Sequence, residues 1–217
     1  MKILVLNSGS SSIKYKLIDM RNEQLLADGL VERIGDTKGT ITHRKYMQGE
    51  APAKTRREAD ISDHVMGMEM AVDLLTAQDT GVVGSQEDIA AIGHRVVHGG
   101  ELFRESTRID ATVIANIEAC IPLAPLHNPG GLAGIRTAMK LFPETLQVAV
   151  FDTAYHQSIP APAYQYALPY DLYQELGIRR YGFHGTSHRY VAGEAARLLD
   201  KPLAETNLVS LHLGNGA

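Results

Sequence analysis

The segment from Ile3 to Leu17, ILVLNSGSSSIKYKL, decides the fold class because it encodes two strands joined by a polar turn. Ile3 to Leu6 is a continuous apolar run, and the end of the segment alternates apolar residues with lysines. Continuous and alternating apolar patterns of this length are both typical of β-strands. The turn Asn7 to Ser12 should therefore project from a strand end.

The first 151 residues contain further predicted strands and several predicted helices. Two stretches, residues 25–34 and 40–47, also have strand-like composition, so the N-terminus reads as three or four antiparallel strands. Strands and helices then alternate, and the predicted elements are a helix capped by Ser62 and running to Gln78, a strand Ile89 to Val97, helices Asp110 to Cys120 and Gly131 to Leu141, and a strand Val148 to Phe151.

Antiparallel strands followed by this alternation predict an α/β fold with a mixed sheet covered by helices on both faces. Ligands are expected at the carboxyl ends of its parallel strands. Residues 1–151 should form this domain, and residues 152–217 should begin a second one with a helix Ser187 to Leu199 and a strand Leu208 to Leu213. So few strands cannot bury a second sheet, and the chain therefore looks truncated.

Composition narrows the function classes. The 217 residues carry a formal net charge of -4 and have a pI near 6.1, which disfavours nucleic acid and anionic membrane surfaces as partners. Cys120 is the single cysteine, which excludes an internal disulfide and a thiolate zinc cluster, and a cytoplasmic location fits best. The apolar run near the start is too short for a signal peptide or a membrane span.

Two turns have the composition of phosphate-binding loops. The turn Asn7 to Ser12 offers hydroxyls and closely spaced backbone N–H groups, with Lys14 following it, and the Asn7 carbonyl oxygen could reach magnesium. The stretch His212 to Gly216 places glycines directly after an apolar segment, where the backbone can approach a phosphate. Taken alone, an ordinary polar hairpin loop explains the first stretch equally well, and an ordinary Gly-Asn turn is the better interpretation of the second.

Charged residues also lie at or just beyond the carboxyl ends of two predicted apolar strands. Arg95 lies in GHRVVHGGE near a strand end and could hold a carboxylate through two parallel hydrogen bonds, with Val97 on the same strand face. Asp152 directly follows the strand that ends at Phe151. A structural ion pair for Arg95 and a turn cap for Asp152 remain the alternative interpretations.

Histidines add further candidates. His184 in YGFHGTSHRYV precedes a helix capped by Thr186 or Ser187, which would place its imidazole beside free helix N–H groups that suit anions. His127 in PLHNPGG has an individual case as weak as that of Asp152, and a core or helix-capping histidine is the alternative for His184. The sequence contains no HExxH motif, which argues against a zinc hydrolase.

The motifs NSGSSSIK, GHRVVHGGE, PLHNP, FDTAYH, YGFHGTSH and HLGNG together resemble the acetate kinase family in wording and order across the whole chain. That family is similar to the sugar kinases, actin and the heat-shock chaperone ATPases, whose two ribonuclease-H-like lobes close on ATP. The resemblance implies an N-terminal ribonuclease-H-like domain, an incomplete second one, and reversible phosphoryl transfer from ATP to acetate.

The resemblance also implies residue roles. It places Asn7 near Mg²⁺, and assigns ATP or ADP phosphates to Ser10, Ser12, Lys14, His212, Leu213, Gly214, Asn215 and Gly216. It assigns substrate binding to Arg95, Val97, Leu126, His127 and Phe183, and catalysis to His184 and Asp152. Acetate is already ionised at neutral pH, much as a Glu side chain with its ordinary pKa of about 4.3 is, so Asp152 need not act as its base.

Family members are considerably longer and carry a second catalytic arginine, an acidic magnesium ligand and the adenine pocket further along. This chain is therefore expected to have little or no activity alone. Its implied partners are a short-chain carboxylate and either a second copy or a complementary C-terminal half. The alternatives are a propionate or butyrate kinase, or a non-catalytic half of a split enzyme.

Overall fold

A computed structural model describes residues 1–214 and contains a mixed sheet of eight strands. In chain order the strands are β1 Lys2–Ser8, β2 Ser12–Asp19, β3 Gln24–Glu32, β4 Gly39–Lys45, β5 Ala53–Ala59, β6 Ile89–Val96, β7 Thr107–Arg108 and β8 Leu146–Phe151. Their order across the sheet is β5-β4-β3-β2-β1-β6-β8-β7. The first five form an antiparallel meander, whereas β1, β6 and β8 are mutually parallel neighbours.

In the described part of the chain, six α-helices connect or follow these strands: α1 His64–Thr76, α2 Ala111–Ala119, α3 Asn128–Leu141, α4 Ala161–Tyr164, α5 Tyr170–Leu176 and α6 Gly185–Leu198. Helices α1 and α3 pack on each other and on the strands, and α2 packs on α3. None of the helices within residues 1–214 is both long and apolar enough to cross a membrane.

The alternation in β2 determines which face of the sheet is covered. Ile13, Tyr15 and Leu17 are each at most 2% exposed and belong to the main core beneath α1 and α3, while Lys14 and Lys16 point to the other side. Removing apolar side chains from water is the main stabilising term for such a layer. The predicted mixed α/β sheet is therefore confirmed, with its core between the sheet and α1 and α3.

The expectation of helices on both faces is wrong for the part of the chain described. The second face carries half-exposed apolar residues such as Ile3 and Val5, and it lines an open groove of about 1440 Å³ bordered by α6 at one end. The sequence pattern cannot separate a solvent-facing strand surface from one that further polypeptide would cover. The groove has an apolar floor with lysines at its rim, and this composition fits both a solvent-facing surface and a covered one.

Several element boundaries differ from the sequence prediction. Helix α1 is capped by Asp63 instead of Ser62, because the Asp63 carboxylate accepts a hydrogen bond from the Met66 amide at 2.9 Å. The polar strand β5 and the two-residue strand β7 were not predicted, since neither has an apolar pattern. Exposed edge strands need no such pattern.

The predicted strand Leu208 to Leu213 is absent. These residues have no regular secondary structure, and Val209 is 90% and Leu213 82% exposed. A strand needs a neighbour for its backbone hydrogen bonds, and none of the described residues pairs with this segment. The segment is apolar, as a strand would require, but none of residues 1–214 forms a neighbouring strand that pairs with it.

The sheet topology defines one edge where ligands can bind. Parallel strands β1, β6 and β8 end side by side, so Asn7 at the end of β1, Arg95 at the end of β6 and Asp152 just after β8 share that edge. In open α/β sheets, ligands bind beyond such carboxyl ends.

Three histidines are buried in the core and hydrogen-bonded there. His43 accepts from the Tyr15 hydroxyl through Nδ1 and donates to the Thr80 carbonyl, and His94 donates to Gln147 Oε1 at 2.7 Å. His98 accepts from the Gly100 amide through Nδ1. Burial lowers the pKa of all three imidazoles, and lowers that of His98 to about 4.

We expect the free energy of unfolding to fall as the pH drops from 7.5 to 5. Well above pH 6.5 these imidazoles are unprotonated in both the folded and the unfolded protein. Below pH 6.5 the unfolded chain binds protons on them more readily than the folded chain does. His98 alone should contribute a loss of about 2 kcal/mol over this range. Urea unfolding across the range measures it, and His98→Gln should reduce the slope. A flat profile would contradict the prediction.

Candidate functional site

One cavity collects half of the site residues named from the sequence. It has a volume of about 450 Å³, lies at the carboxyl ends of β1 and β6, and is lined by eight of those residues: Asn7, Arg95, Val97, Leu126, His127, Asp152, Phe183 and His184. They come from segments spread over nearly 180 positions of the sequence. Their meeting in one cavity is a property of the fold.

A charged pair forms one wall of this cavity. Arg95 donates from Nε to both oxygens of the Asp152 carboxylate at 3.1 Å, and from Nη2 to Oδ2 at 2.7 Å. Asp152 is 3% exposed, whereas the Arg95 side chain is 40% exposed. These hydrogen bonds raise the pKa of Arg95 further. The guanidinium is thus fixed in direction, with Nη1 and one Nη2 hydrogen not used by Asp152.

His184 reaches the cavity through an unusual backbone conformation. Its φ of +54° lies in the left-handed region, which non-glycine residues seldom occupy. The next residue, Gly185, donates its amide hydrogen to the Asp152 carbonyl at 2.9 Å and begins α6. The helix was expected to be capped by Thr186 or Ser187, but His184 occupies the cap position because this contact with Asp152 starts the helix earlier.

The apolar residues of the cavity are not closed over. Val97 is half-buried, but Leu126 is 79% and Phe183 43% exposed. The Phe183 ring packs edge-on against His98, with ring centroids 5.6 Å apart, and His156 Nε2 donates to the Phe183 carbonyl oxygen at 3.0 Å. The structure therefore brings Val97, Leu126 and Phe183, which the family resemblance assigns to substrate binding, to one cavity that is open to solvent.

The turn between β1 and β2 has a defined backbone. Gly9 donates to the Ser12 carbonyl at 2.8 Å, while Ser10 and Ser11 are exposed at its tip. Neither of their amides donates to an acceptor within residues 1–214. Ser10 and Ser12 line neither cavity, whereas Lys14 lines the open groove together with His184 and His212. Exposed, unpartnered N–H groups in a tight turn can receive phosphate oxygens.

The second candidate phosphate stretch is only partly described. His212 stacks on His184 with ring centroids 4.3 Å apart, and its Nδ1 lies 3.0 Å from Ser187 Oγ at the start of α6. Leu213 and Gly214 are exposed and line neither cavity. Asn215 and Gly216 lie outside the described residues.

The donor set is compatible with magnesium. No group of three or more His, Cys, Asp or Glu side chains within residues 1–214 is placed to hold a metal ion. Mg²⁺ that accompanies a nucleotide does not require such a group, since it keeps several waters and takes one or two protein oxygens beside the phosphates. Asn7 Oδ1 and Asp152 line the same cavity and offer oxygens of that kind.

Some structural residues of the site were not found from the sequence. Asn128 is buried and exchanges hydrogen bonds with the His98 backbone, and Thr153 Oγ1 accepts from the Gly99 amide at 3.2 Å. These contacts fix the glycine turn after β6. Burial of a polar side chain has no sequence signal of its own. Asn128 and Thr153 do lie within the motifs PLHNP and FDTAYH, and that position could have suggested a role.

Comparisons with known proteins agree on one family. The family model described as "Acetokinase family" matches residues 2–217. The acetate kinase of Halothermothrix orenii is 57% identical over the whole chain, and that of Methanosarcina barkeri is 51% identical over the whole chain. These alignments cover 54% and 52% of the two relatives, so the chain spans about half the length of the curated relatives it matches.

Solved structures give the same result at the level of the fold. The Porphyromonas gingivalis acetate kinase superimposes with a TM-score of 0.88 and 46% identity, over 94% of this chain and 50% of its own. A propionate kinase from Francisella tularensis gives a TM-score of 0.84 and 44% identity, over 92% of this chain and 49% of its own. The described fold is therefore the actin-like ATPase fold of these kinases.

Proposed function

Because this chain belongs to the acetokinase family, we propose that it supplies the phosphate-binding and carboxylate-binding half of an acetate kinase. The observation that carries the proposal is the cavity in which Arg95, Asp152 and His184 meet the apolar residues Val97 and Phe183. In this proposal residues 1–151 form the first lobe, residues 152–217 begin the second, and the substrates are acetate and ATP.

Arg95 would bind the acetate carboxylate with donors that Asp152 leaves free. A guanidinium has five N–H groups, and Asp152 engages those on Nε and part of Nη2. Acetate already carries its charge at neutral pH and needs no base. The role that fits Asp152 is to hold Arg95 in one orientation, while Val97, Leu126 and Phe183 surround the methyl group and His127 lies beside them.

Transfer would proceed in line. An acetate oxygen forms a bond to the γ-phosphorus as the bond from that phosphorus to the bridging oxygen breaks, which gives acetyl phosphate and ADP. Ser10, Ser12 and Lys14 would hold phosphate oxygens, and His184, stacked on His212, would donate to the transferring group. Asn7 would lie near Mg²⁺, which would offset phosphate charge when bound. Leu213, Gly214, Asn215 and Gly216 would complete the second phosphate loop.

Acetate is favoured over propionate because relatives that match the chain at 57% and 56% identity are acetate kinases. One methylene group changes the free energy that discriminates between substrates by only about 1 to 3 kcal/mol, so the open pocket alone does not separate acetate from propionate. The remaining half of the site would come from further polypeptide. The implied partner is either a second copy, which would give a homodimer, or a complementary C-terminal half. Exposed Val209, Leu211 and Leu213 support such an association.

We expect the 217-residue chain alone to form little or no acetyl phosphate, and a fusion to the C-terminal half of the Halothermothrix orenii enzyme to form it readily. Hydroxylamine trapping with acetate and Mg-ATP measures both. Propionate in place of acetate serves as the competing substrate. A folded fusion without turnover, or one faster on propionate, would contradict the proposal, and full activity of the chain alone would contradict the need for a second half.

A further inference from the structure

His64 makes a long-range contact with the turn that follows β1. It is the first residue of α1, is half-buried, and its Nε2 lies 2.7 Å from the Gly9 carbonyl oxygen, 55 residues away in sequence. A carbonyl oxygen can only accept, so Nε2 carries the proton and donates. This short hydrogen bond connects the N-terminus of α1 to the turn between β1 and β2.

The bond fixes the direction of a neighbouring amide. In a planar trans peptide the carbonyl and the N–H point in opposite directions, so holding the Gly9 oxygen toward α1 turns the Ser10 N–H away from α1. The face of the same peptide is covered by α3, since a Cβ on Gly130 would lie 2.6 Å from the Gly9 carbonyl carbon and 2.9 Å from the Ser10 nitrogen. The peptide is thus held on two sides.

The amide that this arrangement orients is free to bind a ligand. Ser10 is exposed, and its N–H donates to no acceptor in the part of the chain that the structure describes. An exposed amide held in one direction receives an anion without first losing conformational freedom, which favours binding. His64 itself lines neither cavity, so it acts on the ligand only through the backbone.

We propose that His64 is a positioning residue that holds the Gly9–Ser10 peptide in the orientation that binds a phosphate oxygen. This inference rests on the proposed function, in which the turn binds nucleotide phosphates. It adds a residue on α1, outside every motif quoted from the sequence, to the phosphate-binding half of the site.

The test titrates the ¹⁵N-labelled full chain with pyrophosphate and follows the Ser10 and Ser11 amide resonances. His64→Ala should weaken pyrophosphate binding by about three- to tenfold, the effect of losing one hydrogen bond, and should shift the Ser10 amide before any ligand is added. His64→Gln retains a donor and should recover much of the affinity. Val65→Ala, on the exposed side of the same helical turn, should match the wild type.

The outcomes separate this inference from the proposed function. If the wild type does not bind pyrophosphate, the assignment of phosphate to this turn fails, but the ligand-free Ser10 resonance still tests the role of His64. An unshifted Ser10 amide in His64→Ala overturns the inference, and so does pyrophosphate affinity within about twofold of the wild type. Equal losses in His64→Ala and Val65→Ala would also overturn it, because they would indicate general loosening of α1.

Discussion

Arg95→Ala is expected to weaken carboxylate binding strongly and to destabilise the fold at the same time. The change leaves the Asp152 carboxylate, which is 3% exposed, without its main partner. Removing one member of a mostly buried pair costs several kcal/mol, and the partial exposure of Arg95 reduces this to about 2 to 3 kcal/mol. In the fused enzyme, kcat/KM for acetate should fall by about 100- to 1000-fold because a bidentate charged contact is lost.

Two further variants separate the structural effect from the functional one. In Arg95→Ala with Asp152→Asn the unpaired charge is removed, so urea unfolding should recover much of the lost stability while acetate turnover stays low. Arg44→Ala breaks the comparable pair with Asp28 elsewhere on the sheet and should leave the KM for acetate unchanged. If Arg95→Ala loses stability but keeps its KM for acetate, Arg95 is only a structural ion-pair residue.

Gly185→Ala should be nearly as damaging although it adds a single methyl group. That methyl would lie 2.4 Å from the Asp152 carbonyl oxygen and 2.9 Å from the Tyr155 Cβ, neither of which is the end of a flexible side chain. The start of α6 must then move away from β8, which breaks the hydrogen bond from Gly185 to Asp152 and displaces His184. We expect a loss of about 2 to 3 kcal/mol in urea unfolding, and severe loss of turnover in the fused enzyme.

Gly193→Ala is the matched control, because it lies in the same helix with open space around the added Cβ. Alanine is the better helix former, so this variant should be more stable by about 0.5 to 1 kcal/mol and fully active. Equal stability of the two variants would show that the close approach at Gly185 imposes no constraint on the fold.

The sequence predicted those parts of the fold that depend on local pattern. The alternation of Ile13, Tyr15 and Leu17 specified both a strand and its buried face, and the apolar runs ending at Val97 and Phe151 specified the parallel strands to within one residue at their carboxyl ends. Strand β5 and the missing strand at Leu208 to Leu213 were misjudged, because edge position and the presence of a pairing partner are tertiary properties.

The site was predictable as a set of residues but not as a set of contacts. The family motifs named Arg95, Asp152 and His184, and the sequence also raised a structural ion pair as the alternative for Arg95. The structure contains that ion pair, formed with Asp152 inside the cavity, so the two interpretations are compatible. The contact from His64 to Gly9 had no signal at all, since nothing local relates residues 55 positions apart.

The parallel placement of β6 between β1 and β8 also bears on the order in which the site can form. The turn at Ser10 belongs to a hairpin of adjacent strands, whose closure is a local and rapid event, whereas Arg95 and Asp152 depend on pairings between distant segments. Loop-closure entropy opposes the distant pairings until neighbouring contacts offset it. The hairpin that carries the turn can thus form early, whereas the His64 contact that orients its Gly9 carbonyl, like the pairing of Arg95 with Asp152, requires distant segments to meet first.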